Sequence, residues 1–275
     1  MPQETYQLKI YENRSDSLDR VLTLVNESGF QGVEETDSSH ILFFQNKRDA
    51  ETLLSEIQTR YSDIPVSGIE RVLPRDWQLE WKKQFQAFEL EPCWKIIPSW
   101  QEKKQSEGRI IIQIEPGLGF GTGTHETTQL CLKATAQFSK GCANFLDFGC
   151  GSGILSIGAY QFLNVSGVGV ENDLDAMENA KRNFALNQIG NEICLAQRIP
   201  EKIQFDLVVA NIIRSTLIEY CDELSSKVRR VLILSGLLEE DLAEVQSAFC
   251  KRLTDFCAPQ VLKQGDWRAL VWLRT

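Results

Sequence analysis

The residues with the most chemical content form one block, Asp147-Phe148-Gly149-Cys150-Gly151-Ser152-Gly153, an acid followed by alternating glycines between an apolar run and a helical pattern. Glycine at such a junction lets the main chain approach a ligand and leaves the first N–H groups of the next helix free. A tight turn that holds nothing is the competing reading. A turn that cradles a pyrophosphate carries GxGxxG, whereas the spacing here is GxGxG. An acid two residues before the first glycine would also repel a pyrophosphate.

The pattern resembles the glycine fingerprint of methyltransferases, and that resemblance implies S-adenosyl-L-methionine, with Asp147, Gly149, Gly151 and Gly153 in contact with it and the carboxylate on its methionine side. Glu171 closes the next strand-like run, Gly-Val-Gly-Val-Glu, at the place from which a carboxylate accepts hydrogen bonds from both ribose hydroxyls. That acid alone would serve a nicotinamide nucleotide equally well, and the combination with the glycine spacing decides between them.

A second glycine-rich segment, Glu115–Thr128 (EPGLGFGTGTHETT), leads into a helical pattern. It can be a wall or lid over a ligand, with Thr124, Thr127 and Thr128 offering hydroxyls, or a flexible approach to a helix cap. His125 is a candidate proton acceptor, although a capping role is the stronger reading. Asn211 ends FDLVVAN and so falls at the carboxyl edge of a sheet, where its amide can donate and accept beside a reacting centre and orient a substrate amine. The chain continues Ile-Ile-Arg. Enzymes that methylate a flipped base carry an aromatic to stack on it, so a base is the less favoured substrate.

The elements that must position these residues alternate. Over 1–72 the strand-like runs and two helical patterns, near Asp16–Ser28 (with Gly29 as its cap) and Lys47–Tyr61, give the order βαββαβ, a small α+β ferredoxin-like domain. Residues 73–100 read as a proline-bearing linker with a helix, on which Trp77, Trp81, Phe85 and Phe88 share one face as a packing stripe. From 101 to 275 repeated βα units, beginning with RIIIQI and including one helix over Arg214–Ser225, predict a Rossmann-like, doubly wound seven-stranded sheet. Its antiparallel edge comes from strands near Leu253–Leu262 and Trp267–Leu273.

With 43% hydrophobic and 24% charged residues, the composition is that of an ordinary globular protein and excludes disorder. The net charge of -9 disfavours a grip on nucleic acid through phosphates. No apolar run approaches the roughly 20 residues of a membrane span, and no targeting pattern opens the chain, so a cytoplasmic location is expected. The eight cysteines lack CxxC or histidine spacing, so no metal is expected and they read as small buried hydrophobes.

Across these blocks the chain resembles the bacterial ribosomal protein L11 methyltransferase family. The likeness runs through WQLEWKKQF, WKIIPSW, EPGLGFGTGTHETTQLCL, LDFGCGSGILSIGA, FDLVVANI and ILSGLL. The resemblance implies transfer of methyl groups from S-adenosyl-L-methionine to lysine ε-amines, and to an N-terminal α-amine, of ribosomal protein L11, recognised by the N-terminal domain. It carries the family's cofactor contacts onto Thr128, Gly149, Glu171 and Asn211. The family usually has Asp at the place of Glu171, and Asp-Pro-Gly where Glu115 begins the loop. Other activities with the same catalytic domain are methylation of lysines on an electron-transfer flavoprotein, RNA methylation, and non-catalytic cofactor binding.

Overall fold

The computed structural model describes residues 5–11, 21, 24–25, 30–36, 39–72, 85–104, 108–115 and 123–275. The chain divides into two compact units, Met1–Phe85 and Gln86–Thr275.

In the first unit, strands β1 (Thr5–Tyr11), β2 (Phe30–Thr36), β3 (Ser39–Phe44) and β4 (Glu70–Val72), with helix α1 (Lys47–Arg60), build an antiparallel sheet in the order β2-β3-β1-β4. Alternation sends Leu8 and Ile10 of β1 and Leu42 and Phe44 of β3 to one face, where Ala50, Leu53 and Ile57 of α1 meet them at helical spacing. The Asn46 side chain caps α1 by accepting from the Asp49 amide at 3.0 Å. The order matches the expected ferredoxin-like arrangement. The predicted first helix, near Asp16–Ser28 with Gly29, lies outside the described residues except for Val21, Leu24 and Val25, which join this core. Trp77 and Trp81 also lie outside them.

The second unit opens with a three-stranded sheet, β5 (Phe88–Leu90), β6 (Trp94–Pro98) and β7 (Ile110–Ile114), with β5 antiparallel and β7 parallel to β6. This corrects two expectations. Phe88 is in a strand, so the aromatic stripe does not continue to it as a helix, and RIIIQI pairs with WKIIP instead of opening the main sheet. The cause is mutual burial of two isoleucine-rich runs, whose β-branched side chains fit a pleated surface. Trp94 is fully buried and its indole N–H donates to the Leu132 carbonyl at 3.2 Å.

The main sheet contains β8 (Phe145–Phe148), β9 (Gly167–Val170), β10 (Ile193–Ala196), β11 (Phe205–Asn211), β12 (Val228–Leu238), β13 (Gln260–Gln264) and β14 (Trp267–Leu273), in the order β10-β9-β8-β11-β12-β14-β13. The five strands from β10 to β12 are parallel, and β14 inserts antiparallel between β12 and β13. The helices are α2 (Glu126–Phe138), α3 (Ile154–Leu163), α4 (Leu174–Leu186), α5 (Arg214–Glu219), α6 (Cys221–Lys227) and α7 (Leu242–Cys250). The single helix expected over Arg214–Ser225 is therefore two, meeting at Tyr220. The core under α5–α7 holds Phe205, Phe249 and Trp272, and each large apolar side chain buried there contributes roughly 1.5–3 kcal/mol.

From β8 the chain moves to β9 and β10 on one side, then returns to β11 on the other. The strand order thus reverses between β8 and β11, the switch point at which open α/β sheets bind ligands beyond the carboxyl ends of their strands. Among the described residues, no helix is long and apolar enough to cross a membrane. All eight cysteines are free. Cys131, Cys142, Cys150 and Cys221 are buried, but Cys194 on the edge strand β10, Cys250 at the end of α7 and Cys257 beyond it are exposed, which corrects the expectation for those three.

Candidate active site

The turn after β8 lies at the switch point. The Gly149 and Cys150 amides both donate to the Val170 carbonyl at 2.9 Å, bending the chain across the end of β9. Gly149 has φ +72°, and a Cβ there would lie 2.5 Å from Cγ2 of Ile212, so this position requires glycine on both backbone and steric grounds. Gly151 follows, and Gly153 caps α3. Glu171 closes the turn from β9. One carboxylate oxygen accepts from the Gly151 amide at 3.0 Å, and the other from the amides of Asn172 and Asp173 at 2.8 and 3.0 Å. A carboxylate has about four acceptor sites.

Asp147 is placed differently from the expectation that its carboxylate faces the ligand. It is fully buried behind the turn and does not line the cavity. Ser156 Oγ donates to its Oδ2 at 2.7 Å, while Oδ1 has no hydrogen-bond partner. Burial pushes its pKa up to about 7, opposed by the Ser156 bond and reinforced by the nearby Glu171 charge.

The facing wall is assembled from the ends of other elements. Asn211 is the last residue of β11. Its Nδ2 donates to Thr128 Oγ1 at 3.4 Å, while its Oδ1 is buried without a partner. An amide oxygen in that state invites a donor from a ligand. Thr128 is fully buried on α2 and touches this wall through Asn211; Thr127, one residue earlier, lines the cavity. His125 is the N-cap of α2. Its Nδ1 accepts from the Thr127 amide at 3.3 Å, lies 2.8 Å from Thr127 Oγ1, and its ring meets Trp267 edge-on at 4.9 Å between centroids. The capping reading of His125 describes this geometry.

One group escaped sequence reasoning. Asn179, Asn183 and Asn187 recur every fourth residue along the inner face of α4 and its C-cap, and they serve the open edge of β7. Asn187 takes the Gln113 amide at 3.0 Å and gives Nδ2 to the Gln113 carbonyl at 2.6 Å. Asn183 takes the Glu115 amide at 2.7 Å and donates to the Ser152 carbonyl at 2.8 Å. Asn179 donates to the Glu115 carbonyl at 3.3 Å. The ladder replaces a missing strand and ties the root of the Glu115 segment to the glycine turn. Its signal was legible, because asparagine is a poor helix former and three at that spacing on a buried face need partners.

Between the walls lies a cavity of about 1110 Å³, bounded by Gly149, Gly151, Glu171 and Asn211 among others. Among the described residues, its charged lining is Glu171, Asp173, Glu201 and Glu223 against Arg198. That excess of carboxylates suits a cationic ligand and penalises a phosphate chain. A glycine-lined cradle, a strand-end carboxylate and an unpartnered amide oxygen fit the ribose and the cationic methionine end of S-adenosylmethionine.

The family model described as ribosomal protein L11 methyltransferase (PrmA) matches residues 12–275. The ribosomal protein L11 methyltransferase of Caldicellulosiruptor bescii is 36% identical over 223 residues, 78% of this chain and 72% of that protein. Its counterpart in Pseudomonas fluorescens strain Pf0-1 is 34% identical over 237 residues, 83% and 79% of the two chains. The crystal structure of a ribosomal protein L11 methylase from Lactobacillus delbrueckii subsp. bulgaricus superposes with a TM-score of 0.63 at 28% identity, covering 70% of this chain and all of that one. The match extends from the first unit through the glycine turn to the closing hairpin, and on that ground the chain belongs to the ribosomal protein L11 methyltransferase family, whose members are adenosylmethionine-dependent protein methyltransferases.

Proposed function

We propose that this chain methylates lysine ε-amines, and an N-terminal α-amine, of ribosomal protein L11, with Gly149, Gly151, Glu171, Thr128 and Asn211 as the residues that hold the cofactor and align the amine. The observation that carries the reading is the unpartnered Asn211 Oδ1, fixed by Thr128 at the end of β11 beside the glycine turn. Gly153 contributes through α3, and Asp147 acts from behind the turn. The residues 1–72 are assigned to recognition of the protein substrate, and 101–275 to the chemistry.

Bound adenosylmethionine supplies an electrophilic methyl on a sulfonium. The chain's own task is to bring a neutral amine into line with it. The amine's nitrogen–carbon bond forms as the carbon–sulfur bond breaks, and one amine proton leaves to solvent. A free lysine titrates near 10.4, so its neutral form must be favoured locally. Phe148, Ile212, Ile213 and Trp267 line the cavity; such apolar walls lower an amine's pKa by desolvation, against the lining carboxylates, which raise it. Asn211 Oδ1 would accept an N–H of the amine and so orient its lone pair for the transfer. His125 serves as a cap and wall: its Nδ1 accepts from the Thr127 amide and its ring lines the cavity.

The test is intact-mass analysis of purified ribosomal protein L11 incubated with this protein and adenosylmethionine, with Gly149→Arg as the inactive control. Mass additions of one methylene each, absent with the control, are expected. No addition by a protein that binds adenosylmethionine would reject this substrate.

A further inference from the structure

We propose that Gly236, on β12, is a positioning residue for methyl transfer, holding the Asn211–Ile213 segment in register with the glycine turn. The inference rests on the reading of Asn211 as the residue that aligns the amine. Gly236 sits within a strand yet has φ +86°, a conformation that side-chain-bearing residues avoid. It forms a bulge. The antiparallel pairing of β12 with β14 shifts register between Ser235 and Leu237, and bulges re-aim chains beside active sites.

What the bulge accommodates is the main chain of Ile212. A Cβ on residue 236 would lie 2.5 Å from the Ile212 carbonyl oxygen, 3.0 Å from its carbonyl carbon and 3.2 Å from its nitrogen. These are backbone atoms, so no rotamer change relieves the contact. The same Ile212 reaches Gly149 with its side chain on the other side. Ile212 is thus seated between two glycines, one belonging to the cofactor turn and one to β12. Its amide donates to the Ser235 carbonyl at 3.3 Å, extending the β11–β12 ladder one residue past Asn211↔Ser235. Gly236, Ile212 and Asn211 all line the cavity, as does Ile213, which is 68% exposed at its mouth. Any side chain at 236 displaces the peptide that immediately follows Asn211, and with it the amide oxygen that meets the amine.

The experiment compares Gly236→Ala, Gly236→Asn and Asn211→Ala with wild type and with Val261→Ala, an exposed change on β13, by kcat and KM for ribosomal protein L11, adenosylmethionine affinity by calorimetry, and melting temperature. Asparagine tolerates positive φ better than alanine does, so Gly236→Asn keeps the steric contact with less backbone strain. Both Gly236 variants are expected to lose about a hundredfold in kcat, the scale of a misplacement near 1 Å, while cofactor affinity stays within about threefold of wild type. A kcat within twofold of wild type overturns the proposal, and so does a loss of cofactor affinity equal to the loss in kcat. Failure of both variants to fold assigns Gly236 to the fold alone and also overturns it. If Asn211→Ala keeps full kcat, the reading of Asn211 fails and the inference falls with it; if Asn211→Ala is impaired and the Gly236 variants are not, only the inference fails.

Discussion

The two walls of the cavity are built in opposite ways. The wall proposed to hold the cofactor comes from one contiguous turn, Gly149–Gly153, closed by a single carboxylate, Glu171, at the end of the next strand. The wall proposed to face the amine is composed of Asn211 at the end of β11 and Ile212 after it, Thr128 of α2 and its N-cap His125, Gly236 from β12 and Trp267 from the closing hairpin. A wall encoded locally survives wherever the βα unit folds. A wall assembled from strand ends depends on the register of the whole sheet. Damage to the first should therefore appear in cofactor binding, and damage to the second in turnover.

The largest expected effect is at the point where the walls touch. Gly149→Ala combines a positive-φ penalty of roughly 1–3 kcal/mol with the Cβ contact to Ile212 Cγ2, and adenosylmethionine affinity measured by calorimetry should fall by about a hundredfold. Adding Ile212→Ala removes the steric part and should restore part of the affinity. No restoration would mean that the backbone strain alone accounts for the loss and that the walls are not in contact through Ile212.

A smaller effect separates the walls. Truncating Glu171 to alanine frees the Gly151, Asn172 and Asp173 amides and should weaken adenosylmethionine binding by roughly ten- to a hundredfold. Glu171→Asp, which loses the reach to Gly151 but keeps a carboxylate, should cost less. Asn211→Ala should show the reverse pattern, a drop of about tenfold or more in kcat with a smaller change in cofactor affinity. Equal effects of Glu171→Ala and Asn211→Ala on binding and turnover would erase the distinction.

The smallest effect is a pH dependence seated behind the first wall. Asp147 is raised by burial to about 7 in the folded chain and titrates near 3.9 when unfolded. Between these values the folded state holds the extra proton, so the contribution to stability is complete below about pH 4, falls as pH rises and is gone above about pH 7. Asp147→Asn should remove that slope. Melting curves of wild type and variant across this range should converge toward acid pH, with the variant gaining relative stability as pH rises. Parallel curves would show that Asp147 is ionised throughout, with its unpartnered Oδ1 satisfied by water.

Which parts were legible in the chain follows from the same contrast. The GxGxG spacing after an acid, the strand-end Glu171 and the repeated βα rhythm depend on residues close in sequence, and local chain physics reproduces them: glycine turns, a period of two in strands and near 3.6 in helices. The ferredoxin-like order follows from alternation in β1 and β3 and the apolar stripe of α1. The separate sheet formed by WKIIP and IIIQI was not legible, because pairing between distant apolar runs leaves no mark in either. The asparagine ladder was legible in half, since three asparagines at helical spacing mark a buried polar face, but their partners at β7 lie far along the chain.

By itself, then, the sequence determined the fold class, the cofactor chemistry and the residues of the glycine turn, since each is a property of neighbouring residues and their spacing. Only the tertiary structure decided that Asp147 lies behind the turn, that His125 caps a helix against Trp267, and that Ile212 is held between Gly149 and Gly236. Those facts depend on which strand ends meet at the switch point, and that is set by sheet order and register, through backbone hydrogen bonds that carry no signature of residue type.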